Sequence, residues 1–86
     1  MSEADIKEYL RDYVLQEFLP GESRENLTDD IALRTSGILN SIKLLQLIGH
    51  IEDKYSITFD AHEAGNVANF DTLDSMASLV AQKAGK

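Results

Sequence analysis

The sequence predicts a small all-α protein. Three observations carry that expectation: apolar residues recur at helical spacing in three separate stretches, Ser56-Ile57-Thr58-Phe59 is too short to build a sheet, and capping residues or helix breakers flank the helical stretches. The expected architecture is a four-helix bundle, three long helices and one short one, with a long loop between the first and second helices. A chain of 86 residues fits a single domain, here residues 1–86.

The elements follow in order. Ser2 with Asp5 three places on forms a capping-box-like start, after which Ile6, Tyr9, Leu10, Tyr13, Val14 and Phe18 mark an amphipathic first helix. Leu19-Pro20-Gly21 stops it. From Glu22 to Asn40 the chain is polar, and Leu27, Ile31, Leu33 and Ile38 are spaced too irregularly for a helix or strand, so the spacing predicts a long loop pinned to the core by those four side chains. From Ser41 the apolar pattern tightens: Ile42, Leu44, Leu45, Leu47, Ile48, Ile51 and Tyr55 cover one broad face of a second helix, with Lys43, Gln46, His50, Asp53 and Lys54 outside it. Asp60 with Glu63 signals the start of a short third helix, which Gly65 ends. A last helix starts near Asp71 or Thr72 and turns Leu73, Met76, Ala77, Val80 and Ala84 toward the core.

Composition excludes several functions. A chain of this length buries only about 60% of its unfolded surface, which leaves little room for a catalytic cleft. The absence of cysteine rules out disulfides, thiolate metal sites and a Cys nucleophile, and two histidines without metal-ligand spacing offer few ligands. No metal site and no catalytic residue is expected. With 15 acidic against 8 basic residues the net charge is −7, which argues against nucleic acid and anionic membrane surfaces as partners. The start, Met1-Ser2-Glu3-Ala4-Asp5, has neither a basic nor an apolar leader segment, and no apolar run is long enough to span a bilayer, so a cytoplasmic, monomeric protein is the expectation.

One stretch has chemical interest. Ser36-Gly37-Ile38-Leu39-Asn40-Ser41-Ile42 places a small-residue turn before the strongest helix and ends on a serine at its first position. From local signal alone Ser41 is an N-cap whose oxygen satisfies an orphan backbone N–H. The same geometry suits a phosphodiester on the Ser41 oxygen, because exposed N–H groups and the helix dipole favour an anion there.

At this point the chain resembles the acyl carrier proteins and their aminoacyl and peptidyl relatives. Gly37-Ile38-Leu39-Asn40-Ser41-Ile42 looks like the family's Gly-x-Leu-Asp-Ser motif, and the run from Leu44 through Ile57 is similar to its second helix. The loop with Asp29-Asp30, the short third helix and the closing Phe70-Asp71-Thr72-Leu73 extend the resemblance over nearly the whole chain. It implies a discrete, non-catalytic carrier in which Ser41 is esterified with 4′-phosphopantetheine from coenzyme A, whose thiol holds acyl or aminoacyl groups as thioesters. The implied partners are a phosphopantetheinyl transferase and acyl or aminoacyl ligases, synthases or transferases, meeting the chain at Asn40, Ile42, Lys43 and Gln46. Fatty acyl, polyketide, amino acid and D-alanine carriers all share this plan. The chain departs from the family at Asn40, where an Asp that contacts the transferase is usual; Asn keeps the capping ability and loses the charge. The alternative is a small helical interaction module in which Ser41 is only a cap and stays unmodified.

Other features take plainer readings. Leu73-Asp74-Ser75-Met76 spells the intact motif, but only ten residues follow Met76, so Ser75 is expected as a surface residue inside the last helix. His50 lies nine residues after Ser41, on the opposite helix face and about 13 Å along, so no Ser–His pair forms; His50 and His62 are surface or flank residues. The Asp29-Asp30 pair reads as a solvated loop. An apolar cleft among Leu45, Ile48, Phe59 and Val67 is a candidate shelter for a bound acyl chain. Nine of the fifteen acids lie in the first thirty residues, whereas from Ser41 to Tyr55 Lys43 and Lys54 balance Glu52 and Asp53. Recognition at Ser41 is therefore expected to be neutral and led by shape.

Overall fold

The structure is a computed structural model and describes residues 2–84. It is all-helical: four α-helices, α1 (Glu3–Phe18), α2 (Ser41–Tyr55), α3 (Ala61–Gly65) and α4 (Leu73–Ala84), with no strand among the described residues. None of the described helices is long and apolar enough to cross a membrane.

Each helix starts where its cap stands. Ser2 Oγ accepts the Asp5 N–H at 3.1 Å and opens α1. At α3 the capping box is complete: Asp60 accepts the Glu63 N–H at 2.7 Å and Glu63 accepts the Asp60 N–H at 3.0 Å. Thr72 Oγ1 accepts the Ser75 N–H at 3.0 Å at the head of α4. Ser56 ends α2 in the left-handed region, φ 55°, with its N–H donated to the Glu52 carbonyl.

The helices share one core. α1 packs along α4, and Ile6, Leu10, Val14 and Leu15 meet Leu73, Met76, Ala77 and Val80, while α2 contributes Leu44, Leu47, Ile48 and Ile51. Phe59 and Phe70 stack edge to face at 5.3 Å and close the end nearest α3. One expected core position falls elsewhere: Leu45 is exposed, beside Ile42, which was expected at the surface and is found there.

The connection from residue 19 to 40 carries one 3₁₀ turn, Arg24–Asn26, and is tied down along its length. Leu27 and Leu33 are buried, Ile31 and Ile38 half-buried, and Leu39, which periodicity overlooked, is buried as well. The Leu33 N–H donates to the Asp71 carbonyl, the Arg34 N–H to the Asp71 carboxylate at 3.2 Å, and the Leu39 N–H to the Leu33 carbonyl at 2.9 Å. Asp29, expected as a solvated loop residue, is part-exposed but also anchored. Its carboxylate pairs with Lys7 at 3.3 Å and with Arg11, and its carbonyl accepts the Asp74 N–H at 3.2 Å, so it joins the connection to both α1 and α4.

Lys83 links α4 to α3 through Glu63 Oε1 at 2.8 Å. The hydrogen bond from Lys83 and then that from the Asp60 backbone hold the Glu63 carboxyl below its ordinary value of 4.5. A folded value below the unfolded one stabilises the fold above pH 4.5 and ceases to do so as pH falls through the folded value. The difference in urea midpoint between wild type and Glu63→Gln is therefore expected to shrink as the pH drops below 4.5. A difference unchanged from neutral to strongly acidic pH would rule out that contribution.

Candidate functional site at the head of the second helix

The site is built by the way the chain enters α2. Gly37 adopts φ +87°, a backbone conformation that L side chains rarely take, and turns the chain after Ser36. Leu39 then buries its side chain and bonds back to Leu33, which fixes the following residue as the entry point. That residue is Asn40. Its extended backbone, φ −98° and ψ −177°, is a cap conformation, its Oδ1 accepts the Lys43 N–H at 2.8 Å, and its carbonyl accepts the Leu44 N–H.

Ser41 is therefore not the cap. Asn and Ser cap about equally well, and Asn40 stands one place earlier in the conformation the cap requires. Ser41 is the first helical residue; it is exposed, and its hydroxyl makes no hydrogen bond among the described residues. No acidic residue occupies the first turn of α2, so the positive end of its dipole faces outward without a local counter-charge.

The first two turns of α2 expose apolar side chains next to this hydroxyl. Ile42 is 77% exposed and Leu45 69%, the two large exposed hydrophobics among the described residues. Exposed Gly49 continues their face toward the middle of α2. Gln46 is exposed and donates its amide to Tyr13 Oη at 3.2 Å. Lys43 is half-buried, with its ammonium 5.9 Å from the centre of the Phe18 ring. Of the residues expected to meet partners, Asn40, Ile42 and Gln46 are exposed and Lys43 is half-buried, and three have structural work: Asn40 caps, while Lys43 and Gln46 fasten α2 to α1. Leu45 belongs to the exposed set and was missed, because seven apolar residues along one helix do not reveal which of them lie at the uncovered edge.

The candidate cleft does not form from its expected members. Leu45 faces solvent, whereas Ile48 and Phe59 are core; the Val67 side chain lies outside the described residues.

His50 is more than a flank residue. Its ring stacks on Tyr13 at 4.0 Å and on Tyr9 at 5.7 Å, and Nε2 lies 2.5 Å from Tyr9 Oη, so it joins α2 to α1. Beside it, burial and the neighbouring Tyr9 push the Tyr55 hydroxyl above its ordinary value. His62 is exposed, as expected.

Ser75 offers no free hydroxyl. It is half-buried, and its Oγ lies 3.0 Å from the Thr72 carbonyl and 3.2 Å from the Asn69 carbonyl while accepting from Thr72 Oγ1 at 3.0 Å. This corrects the expectation of a surface residue. Asp74, in the first turn of α4, pairs with Lys7 at 2.5 Å. Of the two serines in motif-like settings, Ser41 alone presents an uncommitted oxygen.

Among the described residues no group of three or more His, Cys, Asp and Glu could hold a metal ion. Scanned against models of known protein families the chain matches none, and a search of curated proteins finds no match.

Proposed function

We propose that this chain is a discrete acyl carrier protein that bears 4′-phosphopantetheine on Ser41 and catalyses nothing itself. The observation that carries the reading is the division of labour at the head of α2, where Asn40 takes the cap and leaves the neighbouring serine hydroxyl exposed and unbonded. The residues present fit the group: the free N–H groups and dipole of the helix end favour its phosphodiester, and Ile42 and Leu45 give the arm an apolar surface. When bound, the group supplies a thiol on a long arm, able to hold acyl or aminoacyl cargo as a thioester.

Ser41 Oγ would give its proton to a base of the transferase and form a bond to phosphorus, as the pyrophosphate link of coenzyme A breaks and releases adenosine 3′,5′-bisphosphate. Asn40 holds the first turn in register. Ile42, Leu45 and Gln46 form an uncharged collar that suits ligases, synthases or acyltransferases with apolar docking surfaces. The four-helix bundle with a long structured connection after α1 is part of this reading. Its support is the packing of α1 on α4 and the burial of Leu27, Leu33 and Leu39. A monomer in the cytoplasm, without nucleic-acid partners, fits the net charge of −7.

The test is intact-protein mass after incubation with broad-specificity phosphopantetheinyl transferases and coenzyme A. One added phosphopantetheine is expected. No added mass with several transferases would overturn the reading in favour of an interaction module docking through Ile42 and Leu45.

A further inference from the structure

The head of α2 holds two good capping residues in succession, and only one of them can cap. Asn, Asp and Ser cap about equally well, so a serine beside a helix end competes for the orphan N–H groups unless the preceding residue takes them first. Asn40 does so: its Oδ1 holds the Lys43 N–H at 2.8 Å and its carbonyl accepts the Leu44 N–H at 2.8 Å. Ser41 is thereby kept one place inside the helix with its hydroxyl unbonded among the described residues. Were Asn40 unable to cap, sliding the helix start by one residue would put Ser41 Oγ within reach of the Leu44 N–H. The hydroxyl would then be drawn inward over the first turn, away from an incoming phosphoryl donor.

We infer that Asn40 is a positioning residue that, by outcompeting Ser41 for the cap, keeps the Ser41 hydroxyl free to be modified. The inference rests on the carrier reading for its consequence, but the competition itself stands without it. Capping, a property of a short side chain bearing an acceptor oxygen, is what Asn40 supplies, and it supplies it without a charge. Asp and Ser at position 40 therefore serve as well as Asn, and Ala does not.

Two measurements test this, one of them independent of modification. In urea unfolding, Ser41→Ala alone is expected to change the unfolding constant by less than about twofold, because the hydroxyl is unused, and Asn40→Ala to raise it by about fivefold. Adding Ser41→Ala to Asn40→Ala is expected to raise it by a further threefold or so, since Ser41 then caps. Additive effects in that cycle would overturn the inference. In loading assays followed by intact mass, at a temperature where every variant is folded, Asn40→Ala is expected to load about tenfold more slowly than wild type, a barrier change of one factor of ten. Asn40→Ser and Asn40→Asp both restore the rate. Restoration by Asp alone, with Ser no better than Ala, would show that position 40 acts through charge on the transferase and would overturn the positioning role. A wild type that never loads refutes the carrier reading, while the unfolding cycle still decides the capping competition.

Discussion

Ser41→Ala is expected to abolish loading by phosphopantetheinyl transferases while the protein remains as stable as wild type. The expectation is sharp because the hydroxyl contributes no hydrogen bond among the described residues, so its removal costs the fold almost nothing. A wild-type urea midpoint with no mass gain would separate a chemical role from a structural one. Ser75→Ala is the contrasting variant. Its hydroxyl is engaged with Thr72 and Asn69, so its loss is expected to cost about 1 kcal/mol of stability while loading continues. Loading that survives in Ser41→Ala and disappears in Ser75→Ala would reverse the assignment.

Phe70→Ala is expected to bring the largest loss of stability. Phe70 is fully buried and packs its ring on Phe59 at 5.3 Å, at the junction where the segment after α3 turns into α4. Truncating a buried Phe to Ala costs about 3–5 kcal/mol, against a total of about 4–13 kcal/mol for a chain of this size. The variant is expected to unfold at a much lower urea concentration and to be partly unfolded at 37 °C. Leu45→Ala is the control. Leu45 is 69% exposed, and its truncation is expected to change stability by no more than about 0.5 kcal/mol. Equal losses in the two variants would mean that Leu45 is packed, and the apolar collar beside Ser41 would not exist.

Much of the local structure was legible in the residues. The Ser2 cap, the Asp60–Glu63 capping box, the stop at Leu19-Pro20-Gly21 and the 3.6-residue pattern of α4 depend on neighbours within a few places along the chain, and they appear where their spacing puts them. Features that depend on residues far apart in sequence were not legible. Asp29 gave no sign of meeting Lys7 and Arg11, which are 22 and 18 places away. His50 likewise reads as a polar residue on a helix flank until α1 brings Tyr9 and Tyr13 against it.

The site shows the same division. Resemblance to the acyl carrier proteins singled out Ser41, with Asn40, Ile42, Lys43 and Gln46 as implied partner positions, whereas the local signal gave only a cap. That local reading put the cap on Ser41, one place too late, because Asn and Ser have nearly equal preferences for the position. That choice fell to the tertiary structure: Leu39 is buried and bonded to Leu33, and this anchor sets the chain to enter the helix at Asn40. Nor could periodicity tell which edge of the apolar arc on α2 would stay uncovered.

The sequence by itself determined that the protein is helical and, to within a residue or two, where its helices begin, since these follow from short-range propensity and capping; the expectation of a modified serine came from a family resemblance instead. Only the tertiary structure decided that the chain enters α2 at Asn40, leaving the Ser41 hydroxyl free, and that Ile42 and Leu45 face outward. Those outcomes turn on the anchoring of Leu39 and on which surfaces the rest of the fold covers, contacts between parts of the chain that no single helix's pattern records.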